Sequence, residues 1–139
     1  MTSRLDISNQ LEQDFKKIDA GRGYNLTPAD IRRGLHKFND FEVKPALAFA
    51  LTGDEPDEDS DGRNTARWLN YMVYGYTDTS DMGNSDDIYK LLDDVEDFLL
   101  STDNTYQSCT EIGEIEIIEG GVGVPINFFS LIFRIAYYS

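Results

Sequence analysis

Between Pro125 and Ser139 the chain reads PINFFSLIFRIAYYS, and Phe129, Leu131, Phe133, Ile135 and Tyr137 fall at every second position. A period of two places these five side chains on one face of an extended strand, where only a second layer can remove them from water. A strand of this length needs a sheet around it, because an isolated pair of strands is marginal in water. The chain must therefore supply partners and a covering layer.

Partners are legible upstream. In VKPALAFAL, 43–51, Val43, Pro45, Leu47, Phe49 and Leu51 alternate with Lys44, Ala46, Ala48 and Ala50. This is a strand with one bulky and one small face, Pro45 marking its start or an edge. The small face leaves room for a helix or a neighbouring subunit to approach. RWLNYMVYGYTD, 67–78, is a further strand with aromatics on both faces. EIGEIEII, 111–118, alternates acids with isoleucine, and EGGVGVP, 119–125, joins it to the last strand as a turn or bulge. That glycine run lacks the lysine and following helix of a phosphate cradle.

Two helices supply the cover. RLDISNQLEQDFKKIDA, 4–20, places Ile7, Leu11, Phe15 and Ile18 on one stripe, and Gly21-Arg22-Gly23 ends it. SDDIYKLLDDVEDFLL, 85–100, has Ser85 as N-cap and Asp86 and Asp87 where the helix dipole favours negative charge. Its buried stripe is Ile88, Leu92, Val95 and Leu99, with Asp93, Asp94, Glu96 and Asp97 marking a solvated side. Between these, YNLTPADIRRGLHKFND reads as a loop and a short or irregular strand. The order predicts a single α+β domain over 1–139: a mostly antiparallel sheet of four to five strands, two helices on one face, and a long acidic hairpin loop at about 52–66.

That loop carries Asp54, Glu55, Asp57, Glu58, Asp59 and Asp61, six carboxylates within eight residues. Asp57, Asp59, Asp61 and Gly62 match the opening of an EF-hand, but the position of the closing bidentate Glu is Trp68 and the flanks have strand periodicity. A mobile acidic tip is the better reading.

The wider charge is uneven. Net charge is −14; residues 1–44 hold eight basic and seven acidic side chains, and residues 45–139 hold four and nineteen. Such a surface repels nucleic acid from most directions. It suits plain solubility, a DNA mimic, or a wall past which DNA slides. The single cysteine, Cys109, excludes an internal disulfide. The start of the sequence lacks signal-peptide order, and the longest apolar run is too short to span a bilayer and contains Arg134, so a cytosolic protein is expected. His36 is the sole histidine; no Gly-x-Ser-x-Gly or His-Glu-x-x-His occurs, and no base can be assigned to Cys109. Neither enzyme activity nor a metal or cofactor is expected.

Aromatics on both faces of 67–78 require burial on both sides, and two helices cover one. Trp68, Tyr71, Tyr74, Tyr76, Tyr137 and Tyr138 are therefore candidates for contacts between subunits, where aromatics are favoured; a core that simply uses many aromatics is the alternative.

The arrangement resembles the tail terminator (tail completion, minor tail) proteins of long-tailed bacteriophages. The resemblance runs through the starting helix, IDAGRGYNLTPADIRRGLHKFND, KPALAFALTGDEPDEDSDG leading into RWLNYMVYGYTD, DDIYKLLDDVEDFLL, and EIEIIEGGVGVPINFFSLIFRIAYYS. It rests on order and spacing over nearly the whole chain. It implies an α+β subunit of a hexameric ring that caps the tail tube, stops its elongation and docks the head-side connector or neck protein. DNA would cross the channel without specific binding, and the protein would pass from host cytoplasm to the neck end of the virion tail. On that reading the acids of 54–61 line the lumen or dock on a neighbouring ring. The competing expectation is an acidic DNA-mimic or immunity-type protein that inhibits a nucleic-acid-binding partner.

Overall fold

The computed structural model describes residues 3–36, 40–41, 43–57, 66–78, 86–120 and 126–138. Helix α1 is Arg4–Phe15, followed by strands β1 (Asp30–Arg33), β2 (Ala46–Pro56) and β3 (Ala66–Asp78), helix α2 (Asp86–Leu99), and strands β4 (Thr110–Ile118) and β5 (Ile126–Tyr138). The five strands form one sheet in the order β1-β2-β3-β5-β4. Only β1 and β2 run parallel; the other pairs are antiparallel. The fold is α+β, as the alternation and the two helical stripes require.

β3 lies at the centre and β5 pairs with it along its length, from Ala66↔Tyr138 to Asp78↔Ile126. Leu69, Tyr71 and Val73 of β3, with Phe129, Leu131, Phe133, Ile135 and Tyr137 of β5, face the helices. Ile7, Leu11 and Phe15 of α1 and Ile88, Leu92, Val95 and Leu99 of α2 meet them, so both predicted stripes are buried in one core. Ile18 joins that core from beyond the end of α1. A capping box between Ser3 and Asp6 starts α1, satisfying backbone donors that the first turn leaves open. Ser85 lies outside the described residues, so the cap of α2 is not described.

Two sequence expectations are corrected. Strand β2 runs to Pro56, which pairs with Arg67, and the Asp57 amide still bonds the Ala66 carbonyl (3.1 Å). Residues 52–56, Asp54 and Glu55 included, are therefore strand rather than loop; 58–65 lie outside the described residues. A register shift between Leu51 and Gly53 lets the ladder continue past the alternating stretch.

The second correction concerns Asp94, which is buried on α2 rather than on its solvated side. Its two carboxylate oxygens accept the amides of Asn25 and Leu26, each at 2.8 Å. Burial pushes its carboxyl above the usual range, the two donors pull it down, and Asp97 and Asp93 add to the rise. Asp14, also buried, accepts the Thr105 amide at 2.8 Å and the Gln10 side-chain amide at 2.9 Å. Each helix thus uses one buried acid to hold an irregular segment against itself.

At Gly75 of β3 the ring of its cross-strand neighbour Phe129 in β5 lies over the strand, with Leu91 of α2 beside it. A methyl group there would sit 2.2 Å from Cε1 of Phe129 and 2.9 Å from Cδ2 of Leu91, so the seating of the Phe129 ring and of α2 over this point requires a residue without Cβ. Gly75→Ala should destabilise the protein by about 1–3 kcal/mol, read as a lowered urea midpoint with unchanged m. An unchanged midpoint would contradict this packing.

Candidate interaction surfaces

The sheet has two faces of unequal cover. On the face away from the helices, Ala46 and Ala48 of β2 form a second cluster with Phe41, Tyr74 and Tyr76. Residues 34–36 and Phe41 lie over this end of the sheet, and the tyrosines anchor Gly34 and His36. Tyr74 Oη donates to the Gly34 carbonyl (2.7 Å) and accepts the His36 amide (2.8 Å), while Tyr76 Oη donates to the His36 carbonyl (2.9 Å). The small alanine face is thus filled from within the chain. Desolvation raises both phenols above their ordinary value, keeping them protonated as donors.

This placement sorts the six aromatics singled out from the sequence. Tyr71 is wholly buried under the helices, stacked on Phe133 at 5.3 Å and bonded to Ser8 Oγ (2.8 Å); it is a core residue. Tyr137 is buried too, and its hydroxyl donates to Asp54 (2.7 Å). Tyr74 and Tyr76 are covered as described. Trp68 alone of the five with described side chains remains half-exposed on the open face. Tyr138 is described only through its backbone pairing with Ala66.

Around Trp68 a polar chain crosses three strands. The Arg134 guanidinium lies 3.9 Å from the indole centroid and donates to Oε2 of Glu111 through Nη2 (2.7 Å) and Nε (3.0 Å). A shallow depression of about 260 Å³ is bounded here by Asn70, Glu111, Gly113 and Ile132. This end of the open face and the β4 edge expose Ile117, Ile118 and Ile132.

The acid stretch divides as well. Asp54 is turned to the helix side, where Arg4, Arg67 (2.7 Å) and Tyr137 converge on its carboxylate. Burial pushes its pKa up, but the donors from Tyr137, Arg67 and Arg4 outweigh that and hold it below the ordinary value. Glu55 is exposed and accepts from the Asn70 amide at 3.3 Å. Asp57 is half-buried beside the last ladder bond. Glu58, Asp59 and Asp61 lie outside the described residues.

Sequence reasoning missed the Asp54 cluster, because its cations come from positions 4 and 67 and no local pattern joins them. Among the described residues no group of three or more His, Cys, Asp or Glu side chains could hold a metal ion, and no helix is long and apolar enough to cross a membrane. Burial raises the Cys109 thiol, which lies 3.4 Å from the Tyr106 carbonyl. No family model and no curated protein matches the chain.

Because the Asp54 pKa is depressed on folding, the unfolded chain takes up this proton first. The stabilisation it provides is complete above the unfolded value near pH ~4 and is lost as pH falls through the folded one. Asp54→Asn should cost about 1–3 kcal/mol at pH 7, with the gap to the parent narrowing below pH ~4. Equal denaturation midpoints at pH 7 would contradict that role.

Proposed function

We propose that the chain is the tail terminator of a long-tailed bacteriophage. Its copies form a hexameric ring on the last ring of tail-tube protein, stop tube growth and offer the head-side connector or neck protein a docking surface. DNA passes through the ring unbound, and the part is structural, without catalysis or cofactor.

The observation that carries this reading is the order and pairing of elements: α1, the long β2–β3 pair, α2, then the closing β4–β5 pair, all on one sheet. That is the arrangement the sequence resemblance implies. Charge supports it in a second way. With nineteen acids beyond residue 44, a ring of such subunits would present like charge to DNA phosphates and keep them from adhering. Since Asp54 is neutralised by arginines within the fold, a lumen-lining or ring-docking role falls to the acids after it.

The direct test adds purified protein to polymerising tail-tube protein from the same genome and measures tube lengths. Shortened, capped tubes are expected. Uncapped tubes, with a protein that instead captures a basic partner at low salt, would replace this reading with the acidic inhibitor. Replacing Asp57, Glu58, Asp59 and Asp61 by Ser or Gln should leave the melting temperature near that of the parent while lowering the yield of infectious particles. Normal particle yield would defeat the role given to these acids.

A further inference from the structure

The sheet face away from the helices is covered at one end only. Gly34, His36 and Phe41 supply that cover over Tyr74 and Tyr76. Two cations gather at the same end: Arg32 lies 5.0 Å over the Phe41 ring, and Lys44 donates to the Phe41 carbonyl (2.7 Å).

Beyond Tyr74 the two central strands carry an uncovered strip. Met72 and Trp68 of β3 alternate with core residues, and their partners across the ladder are Ile132 and Ala136 of β5, so all four lie on this face. Ile132 is 37% exposed, and Trp68, Met72 and Ala136 are half-buried. Among the described residues no helix or strand lies over them.

Acids stand on both sides of the strip. Glu55 of β2 pairs with Trp68, while Glu111 and Glu116 of β4 pair with Arg134 and Ser130, so all three share the open face, and all three are exposed. The cation of the strip is Arg134; Glu111 takes up its charge through two hydrogen bonds, and its plane rests on the Trp68 indole. Glu55 and Glu116 have no ion pair among the described residues, so the rims carry net negative charge. The dimensions suit one element. β2 and β4 flank β3 and β5, which sets the rims three strand spacings apart, about 14 Å, and a helix with its side chains is about 10–12 Å across. From Trp68 to Met72 the strip runs about 13 Å, or about two and a half helical turns.

We propose that this strip docks a basic amphipathic helix of a partner protein, laid along β3 and β5. The apolar stripe of that helix covers Trp68, Met72 and Ile132, and lysines or arginines on its flanks reach Glu55 on one rim and Glu116 and Glu111 on the other. Burial of the strip drives the contact, a stacked Trp and Arg at its centre are the residue types that carry most binding energy, and the rims select the sign of the partner. Charge disfavours other occupants. A second copy laid face to face sets acid rims against acid rims, and nucleic acid brings phosphates to them. The proposal rests on this face and does not require the terminator reading.

Trp68 is the sole tryptophan, so its emission reports on this face. The test titrates the full chain with a short synthetic helical peptide, leucine on one face and lysine on both flanks, and follows Trp68 fluorescence. The same peptide with glutamate for lysine is the control. A saturable blue shift is expected with the lysine peptide and none with the glutamate peptide. Ile132→Lys, at an exposed position, should raise Kd at least tenfold, and the double variant Glu55→Gln with Glu116→Gln about threefold, both melting as the parent does. No saturable response, binding that leaves Trp68 emission unchanged, equal response to the glutamate peptide, or parental affinity in Ile132→Lys would overturn the proposal. A blue shift on raising the protein concentration alone would also overturn it, assigning the face to a second copy. None of these outcomes alters the tube-capping test.

Discussion

Burial of β3 on both faces is the constraint on which the rest of this structure depends. Its odd-numbered residues, Leu69, Tyr71 and Val73, need the helices, and its even-numbered tyrosines, Tyr74 and Tyr76, need a cover on the other side. Placing β3 in the centre satisfies both. β2 and β5 then take its two edges, the helices lie over one face, and Gly34, His36 and Phe41 cover the end of the other, the first two through hydrogen bonds to the two phenols. Gly75 is a local consequence: without a side chain it leaves room for the Phe129 ring from β5 and for Leu91 of α2.

Much of this was legible because it is written in periodicity. The run Phe129, Leu131, Phe133, Ile135, Tyr137 and the stripes of α1 and α2 each report one buried face, and all three meet in one core. What escaped reading depends on partners distant in sequence. Asp54 and Glu55 looked like loop because acids and a proline favour turns, yet the ladder with β3 continues through them, and Arg4, 50 residues away, and Tyr137, 83 residues away, make Asp54 a strand residue. Asp94 sits among acids that do face water, and only the return of residues 25–26 explains its burial. The aromatic surplus was apparent, but its cover came from a segment whose sequence reads as loop.

The same accounting bears on function. Once the tyrosines are assigned to the interior, the described residues leave for partners the Trp68 end of the open face and the two sheet edges, one with exposed isoleucines and the other with exposed leucines. Exposed edges with apolar side chains invite strand pairing. Under the terminator reading these apolar residues would be covered in the ring, whereas for an isolated inhibitor they would be a liability.

The most direct test of the terminator reading is an amber mutation early in the gene, grown in a non-suppressing host, with the lysate viewed by negative-stain electron microscopy. The account predicts filled heads separate from tails, with tubes of uncontrolled length lacking a terminal ring, restored by a suppressor. Complete virions with normal tails from the same lysate would contradict it.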